Sequence, residues 1–187
     1  MTSDLAVARA HPELHSARLR LRAFVASDAA DVRRLAGAFE IADMTQTVPH
    51  PYPEGAAEQW IAGLAPAWAD GTGIAWAITE KAGGALVGAI GLRLTPEHAT
   101  AELGYWIGVP HWRRGYATEA GAAVLAFGFA RLGLNRIQAR HLVRNPASGR
   151  VMVKLGMCHE GRLRQATRKH DRFEDLELYA RLAGDST

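Results

Sequence analysis

The stretch Glu102–Glu119 limits what this chain can fold into more than any other. Thr100–Val109 reads as a strand. It runs into a short loop holding Arg113, Arg114 and Gly115. The loop opens a long apolar segment, Ala117–Leu132, which reads as a helix closed by Gly133. Arg136–Val143 then reads as a further strand. A helix N-terminus exposes unpaired N–H groups and a partial positive charge, so it is a ready anion site. Gly115 lets the backbone come close to a phosphate. The Gly-Lys-Ser/Thr ending of a Walker loop is absent, and so is a Gly-x-Gly-x-x-Gly dinucleotide loop. On these residues alone the loop is either a pyrophosphate cradle or an ordinary helix start.

The rest of the chain alternates helix and strand. Leu19, Leu21 and Ala23 alternate with arginines as a first strand. Ser27-Asp28 starts a helix whose apolar positions include Val32 and Leu35, and Gly37 does not force a stop. Thr45–Pro53 carries three prolines and reads as a loop. Glu54–Trp68 reads as a helix. Ala75–Thr79 and Leu86–Leu94 read as strands flanking the turn at Gly83-Gly84. Pro146–Leu155 reads as a helix ended by Gly156. Met157–Leu182 should give two strands with a turn near Lys169–Arg172. The pattern predicts one α/β (α+β) domain over 17–187, preceded by a flexible arm over 1–16.

Charge narrows the function. The net charge is +3 over 187 residues. Before His111 there are 8 Lys/Arg and 12 Asp/Glu; from His111 on there are 14 and 7. The basic half can face nucleic acid, a phosphorylated cofactor or plain solvent. It carries no recognition-helix or aromatic stacking motif, so nucleic acid is not expected. One cysteine, Cys158, excludes an intramolecular disulfide and a cysteine-rich zinc site. No apolar run approaches a membrane span and no secretory signal is evident. A cytoplasmic protein without a membrane partner is expected.

Several separate stretches resemble the GNAT superfamily of acetyltransferases, and within it the RimJ/RimL-like branch of ribosomal-protein N-terminal acetyltransferases. These are Arg18–Arg22 with Ser27-Asp28, Gly88–Leu92, Trp112–Ala120, Asn145–Ser148, Lys154–Met157 and Glu160-Gly161. Together they span about Arg18 to Leu182. Many superfamily members have Gln or Arg where Trp112 stands; Trp is usual in this branch. The resemblance implies a GNAT-type fold: a mixed, mostly antiparallel sheet of about seven strands, about four flanking helices, and splayed fourth and fifth strands. It implies acetyl-CoA as co-substrate, an amine acceptor, no metal, and a monomer or homodimer.

Residue roles follow from that resemblance. Ile107, Gly108 and Val109 would offer backbone groups to the pantetheine arm, as an added strand would. Arg114, Gly115, Tyr116, Ala117 and Thr118 would hold the pyrophosphate. Asn145 would bond the pantetheine amides. Glu102 is the candidate base, sharing a strand face with Gly104, Trp106 and Gly108. Its other reading is an ion-paired strand residue. Ser148 is the candidate proton partner of the sulfur, or else a helix-capping serine. The branch places a second glutamate on the penultimate strand, and this chain has Thr167 there. His141 on the fifth strand is either a base or a core histidine. His11 and His15 stand four apart with Pro12 between them. Tyr105 and Trp106 read as packing, with either able to line the acceptor tunnel. The acceptor is expected between the first two helices and the last strands, near Thr45–Tyr52 and Thr167–Phe173. A protein N-terminus, a small-molecule amine or a non-catalytic acyl-CoA sensor all remain open.

Overall fold

A computed structural model describes residues 10–185. Among them the chain forms eight strands and five α-helices. The strands are β1 (Leu14–His15), β2 (Leu19–Arg22), β3 (Gly73–Glu80), β4 (Leu86–Thr95), β5 (Thr100–Ile107), β6 (Arg136–Leu142), β7 (Cys158–Lys169) and β8 (Arg172–Leu182). The helices are α1 (Ala29–Ala36), α2 (Phe39–Met44), α3 (Ala56–Ala69), α4 (Tyr116–Leu132) and α5 (Pro146–Lys154). One sheet runs in the order β1-β2-β3-β4-β5-β6-β8-β7. Every neighbouring pair is antiparallel except β5 and β6. Those two are joined through α4, since parallel neighbours need a crossover connection. No described helix is long and apolar enough to cross a membrane.

Two clusters of buried side chains give the layers. Leu103, Ile107 and Ile137 meet Ala120, Val124 and Met152 on the face covered by α4 and α5. Ala77, Leu86 and Trp106 meet Val32, Leu35 and Trp60 on the face covered by α1 and α3. Alternation along β5 sends Leu103, Tyr105 and Ile107 to the first face and Glu102, Gly104 and Trp106 to the second. Small residues bring α4 close to its neighbours. A Cβ on Gly121 would meet Leu155 Cδ1 at 2.7 Å, and one on Gly128 would meet Ile137 Cδ1 at 2.7 Å.

The splay is present and has a sharp start. β5 and β6 pair at Thr100↔Arg136, Ala101↔Ile137 and Glu102↔Gln138. Past that point β6 stays with β8, through Leu142↔Leu176. The sheet therefore opens between Leu103–Ile107 of β5 and Ala139–Leu142 of β6.

Other expectations are met with differences. The eighth strand is the two-residue β1. Of the arm expected over 1–16, residues 1–9 lie outside the described residues. Residues from His11 on are held to the domain: the Trp76 indole donates to Pro12 O at 2.7 Å, and Leu14 pairs with Leu21. The first helix does stop at Gly37, and the separate α2 follows. A Cβ at Gly37 would lie 2.4 Å from Arg33 O in the preceding turn and 3.2 Å from Tyr52 Cβ of the following loop, and the second contact is not local. Pro66 lies inside α3 without ending it.

Candidate active site

The loop before α4 is built for a close approach. Gly115 is its N-cap, with a left-handed φ of 79°, and Arg113 is also left-handed at 61°. A Cβ at Gly115 would meet only Arg18 Nη2, at 3.6 Å, so the space above the loop is open. Tyr116 turns its ring inward and donates to Glu80 Oε1 at 2.5 Å, leaving its backbone at the helix mouth. The N–H groups of Tyr116, Ala117 and Thr118 belong to the first turn, which lacks intrahelical partners.

Sequence reasoning missed the clamp that holds this loop. Arg18 donates from Nη2 to Arg114 O at 2.9 Å and from Nε to Glu119 Oε2 at 2.8 Å. Its backbone N–H and the Ser16 hydroxyl both reach Glu119 Oε1 at 2.7 Å. Burial by itself raises the Glu119 carboxyl. The donors from Arg18 and Ser16 outweigh it and hold Glu119 below its ordinary value. An ionised acid in the first turn also suits the helix dipole.

The strand end beside the loop is already busy. Ile107 O accepts from the Trp112 indole at 2.5 Å, Gly108 N–H donates to Val87 O at 2.9 Å, and Val109 O accepts from Trp112 N–H at 3.2 Å. A carbonyl has a second lone pair, so Ile107 O and Val109 O can take another donor. The Gly108 N–H has no such spare capacity. Burial lowers His111, which lies in the turn after β5, below its ordinary value against the pull of Glu80; its Nδ1 is buried without a partner.

Across the splay, Asn145 caps α5: its Oδ1 accepts from Ser148 N–H at 3.3 Å. That leaves Nδ2 as its donor. Ser148 is thus not the capping side chain. Its Oγ lies 2.7 Å from the Tyr105 hydroxyl of β5. Burial pushes the Tyr105 phenol up to about 12, and the Ser148 hydrogen bond opposes this only in part. Tyr105, read from the sequence as packing, is therefore the partner of a candidate catalytic residue.

Glu102 lies on the opposite face, at the last paired position before the splay. Arg140 of β6 reaches across to it through Nε at 3.1 Å and Nη2 at 2.8 Å, and Arg93 of β4 adds a bond at 2.7 Å. The ion-paired reading of Glu102 is realised in this geometry, and both carboxylate oxygens are engaged. Thr167 pairs with Glu174 on β8, and that carboxylate is held by Arg144 Nε at 3.0 Å. His141 is buried; its Nδ1 donates to Leu142 O at 2.8 Å and its Nε2 has no partner. His11 stands against Trp76 and His15 against Glu13.

A cavity of about 1230 Å³ joins these parts. Gly115, Ser148, Arg150 and Lys154 line its one end; Glu102, Gly104, Trp60 and Val48 line the other. It passes through the sheet at the splay. Gly104 is exposed at its floor, and a Cβ there would touch nothing within 4 Å. Arg113, Arg150 and Lys154 make the loop end cationic.

The profile of the acetyltransferase (GNAT) domain matches residues 18–158. The chain belongs to the GNAT acetyltransferase family. It is 41% identical over 96 residues to the uncharacterized N-acetyltransferase YoaA of Bacillus subtilis, covering 51% of this chain and 54% of that protein. It is 36% identical over 99 residues to the ribosomal-protein-serine acetyltransferase of Escherichia coli, covering 52% and 55%. The chain thus spans about half the length of the curated relatives it matches. Two of the matched relatives are named for ribosomal proteins, and RimL and RimJ are among the solved structures of like fold. A GNAT-family acetyltransferase from Bacillus anthracis superposes with a TM-score of 0.83 at 24% identity, covering 93% of this chain and 100% of that one. RimL, a ribosomal L7/L12 alpha-N-protein acetyltransferase in complex with coenzyme A, superposes with a TM-score of 0.83 at 20% identity, covering 91% and 98%. At these identities the likeness is one of fold.

Proposed function

We propose that this GNAT-family chain is an N-acetyltransferase that moves an acetyl group from acetyl-CoA to a protein N-terminal α-amine, by direct attack in a ternary complex. The through-sheet cavity carries this reading. It joins a cationic loop end, suited to a phosphorylated co-substrate, to an open floor at Gly104 on the other face, beside the Glu102–Arg140 ion pair. The two substrates can then meet at the splay without either passing through the other's entrance.

The residues present fit acetyl-CoA. The first-turn N–H groups of Tyr116–Thr118 and the open space over Gly115 suit the pyrophosphate. Arg113, Arg150 and Lys154 add charge for the remaining phosphate. Asn145 Nδ2 and the free lone pairs of Ile107 O and Val109 O suit the pantetheine amides. When bound, acetyl-CoA supplies the activated acyl group. Ser148, which lines the cavity beside Tyr105, would protonate the departing sulfur.

The state of Glu102 favours an α-amine. A base in this position would have to give up a guanidinium hydrogen bond before taking a proton. An α-amine, with a pKa near 8, is about 10% neutral at pH 7, whereas a lysine amine near 10.4 is about 0.04% neutral. The α-amine can attack with little help; lysine cannot. The relatives named for ribosomal proteins support the same direction.

A thiol-release assay with acetyl-CoA tests this. Peptides beginning with Ser or Ala are expected to outpace N-acetylated lysine peptides by at least about tenfold at pH 7, in line with their neutral fractions. Faster turnover of lysine peptides or polyamines would overturn the acceptor assignment. Tight acetyl-CoA binding without thiol release from any amine would instead make the protein an acyl-CoA sensor.

A further inference from the structure

The hydroxyls of Tyr105 and Ser148 meet at 2.7 Å across a gap where the two strands no longer pair. Tyr105 comes from β5. Ser148 sits on the first turn of α5, which follows β6. Both line the cavity; the phenol's one hydrogen has two acceptors in reach, Ser148 Oγ at 2.7 Å and, at a longer 3.3 Å, Ser148 O. A serine on a helix normally has its hydroxyl free to turn toward its own helix or to water. Here a second hydroxyl occupies one side of the oxygen. The Asn145 side chain already serves the Ser148 N–H, so the serine is not needed as a cap.

We propose that Tyr105 is a positioning residue for Ser148: the phenol donates to Ser148 Oγ, which turns the serine O–H into the cavity toward the sulfur of the leaving thiol. The inference rests on the acetyltransferase reading above. The amine nitrogen forms a bond to the thioester carbonyl carbon. The carbon–sulfur bond then breaks and its electron pair stays on sulfur. Ser148 Oγ–H gives its proton to that sulfur, and the proton that the new amide nitrogen must lose restores the serine. One proton thus moves from nitrogen to sulfur, and no outside acid is consumed. Tyr105 keeps its own proton throughout. Burial pushes the phenol up to about 12, so it stays protonated over any working pH. The hydrogen bond raises the fraction of time the serine faces the sulfur, which is an orientation effect on the rate.

Tyr105→Phe removes only the hydroxyl and keeps the ring in its packing. With the fastest acceptor of the amine panel, kcat is expected to fall about tenfold, the effect of about 1.4 kcal/mol at the barrier. The KM for acetyl-CoA and its calorimetric affinity are expected to stay within about twofold. Ser148→Ala should lower kcat by more. Adding Tyr105→Phe to Ser148→Ala should cost nothing further, because the group being positioned is gone. An unchanged kcat in Tyr105→Phe overturns the inference. So do losses that multiply in the double variant, or a Tyr105→Phe protein that loses acetyl-CoA affinity in step with activity, as a purely structural contact would. An unsubstituted protein that neither binds acetyl-CoA nor releases thiol would sink the acetyltransferase reading itself.

Discussion

Glu102 illustrates how much one side chain's role depends on its neighbours. Its place on a strand face beside Gly104 was legible in the sequence, because alternation fixes which residues share a face. Its two guanidinium partners were not. Arg93 lies nine residues away and Arg140 thirty-eight, on two different strands. The Arg140 bond also does a mechanical job, linking β5 to β6 at the last paired position before the sheet opens. Glu102→Gln keeps the shape and removes the charge. It is expected to lower stability by about 1–2 kcal/mol, read as a melting point lower by several degrees. Turnover of a peptide α-amine should stay within a few fold of the original. Loss of turnover with an unchanged melting point, and a flattened pH–rate profile, would instead make Glu102 the base. The same reasoning explains why only part of Tyr105's surroundings was legible: its ring packs against the core as read, but its hydroxyl partner was not foreseen. An aromatic residue on an inward strand face looks like packing until a helix from another part of the chain places a hydroxyl against it.

Among the elements, α2 carries the clearest prediction. No sequence signal marked it as a separate helix. It contributes Asp43, whose carboxylate takes Arg144 Nη1 at 2.6 Å and Nη2 at 2.9 Å. Arg144 stands one residue before Asn145 and also holds Glu174 of β8. One guanidinium therefore ties α2, the β7–β8 hairpin and the start of α5 together around the cavity. The Arg144 hydrogen bonds hold Asp43 below its ordinary value, against burial, and the charges of Arg144, His170 and Lys169 add to this. A carboxyl lowered in the folded state contributes stability above its unfolded pKa, near 4, and that contribution is lost as pH falls through the lower folded value. Asp43→Asn should therefore be less stable than the parent at pH 7 by about 1 kcal/mol. The gap should close as the pH is lowered from 5 toward 3. Urea midpoints measured across that range check it; a gap that stays constant would mean the loss comes from packing.

At the scale of the whole molecule, the cationic end of the cavity and the open loop at Gly115 should make the fold responsive to its co-substrate. A ligand that binds only the folded state stabilises it by about 2.7 kcal/mol at a hundredfold excess over Kd. For a chain of this size that is a rise of roughly 5–10 °C in melting temperature. Acetyl-CoA is expected to produce such a rise, and added salt to weaken it, since Arg113, Arg150 and Lys154 act through charge. Gly115→Val should abolish the rise. The protein itself leaves room for the side chain, so the effect comes from the left-handed φ of 79° and from the ligand's space. A Gly115→Val protein that still gains the full shift would remove the loop from the binding site.

The sequence determined the parts whose signals are local. The strand–loop–helix at Glu102–Glu119, the cap at Gly133 and the two closing strands all follow from periodicity and from residues with special backbone freedom. Such features need only their neighbours in the chain. What the tertiary structure decided are the relations between distant segments: the point at which β5 and β6 part, the bridge of Arg140 to Glu102 on one face, and the meeting of Tyr105 with Ser148 on the other. Each depends on where a strand ends its pairing, which is set by the packing of α4, α5 and β8 together. The loop could be read as an anion site from its own residues; only the opening behind it turned that site into one end of a passage through the sheet.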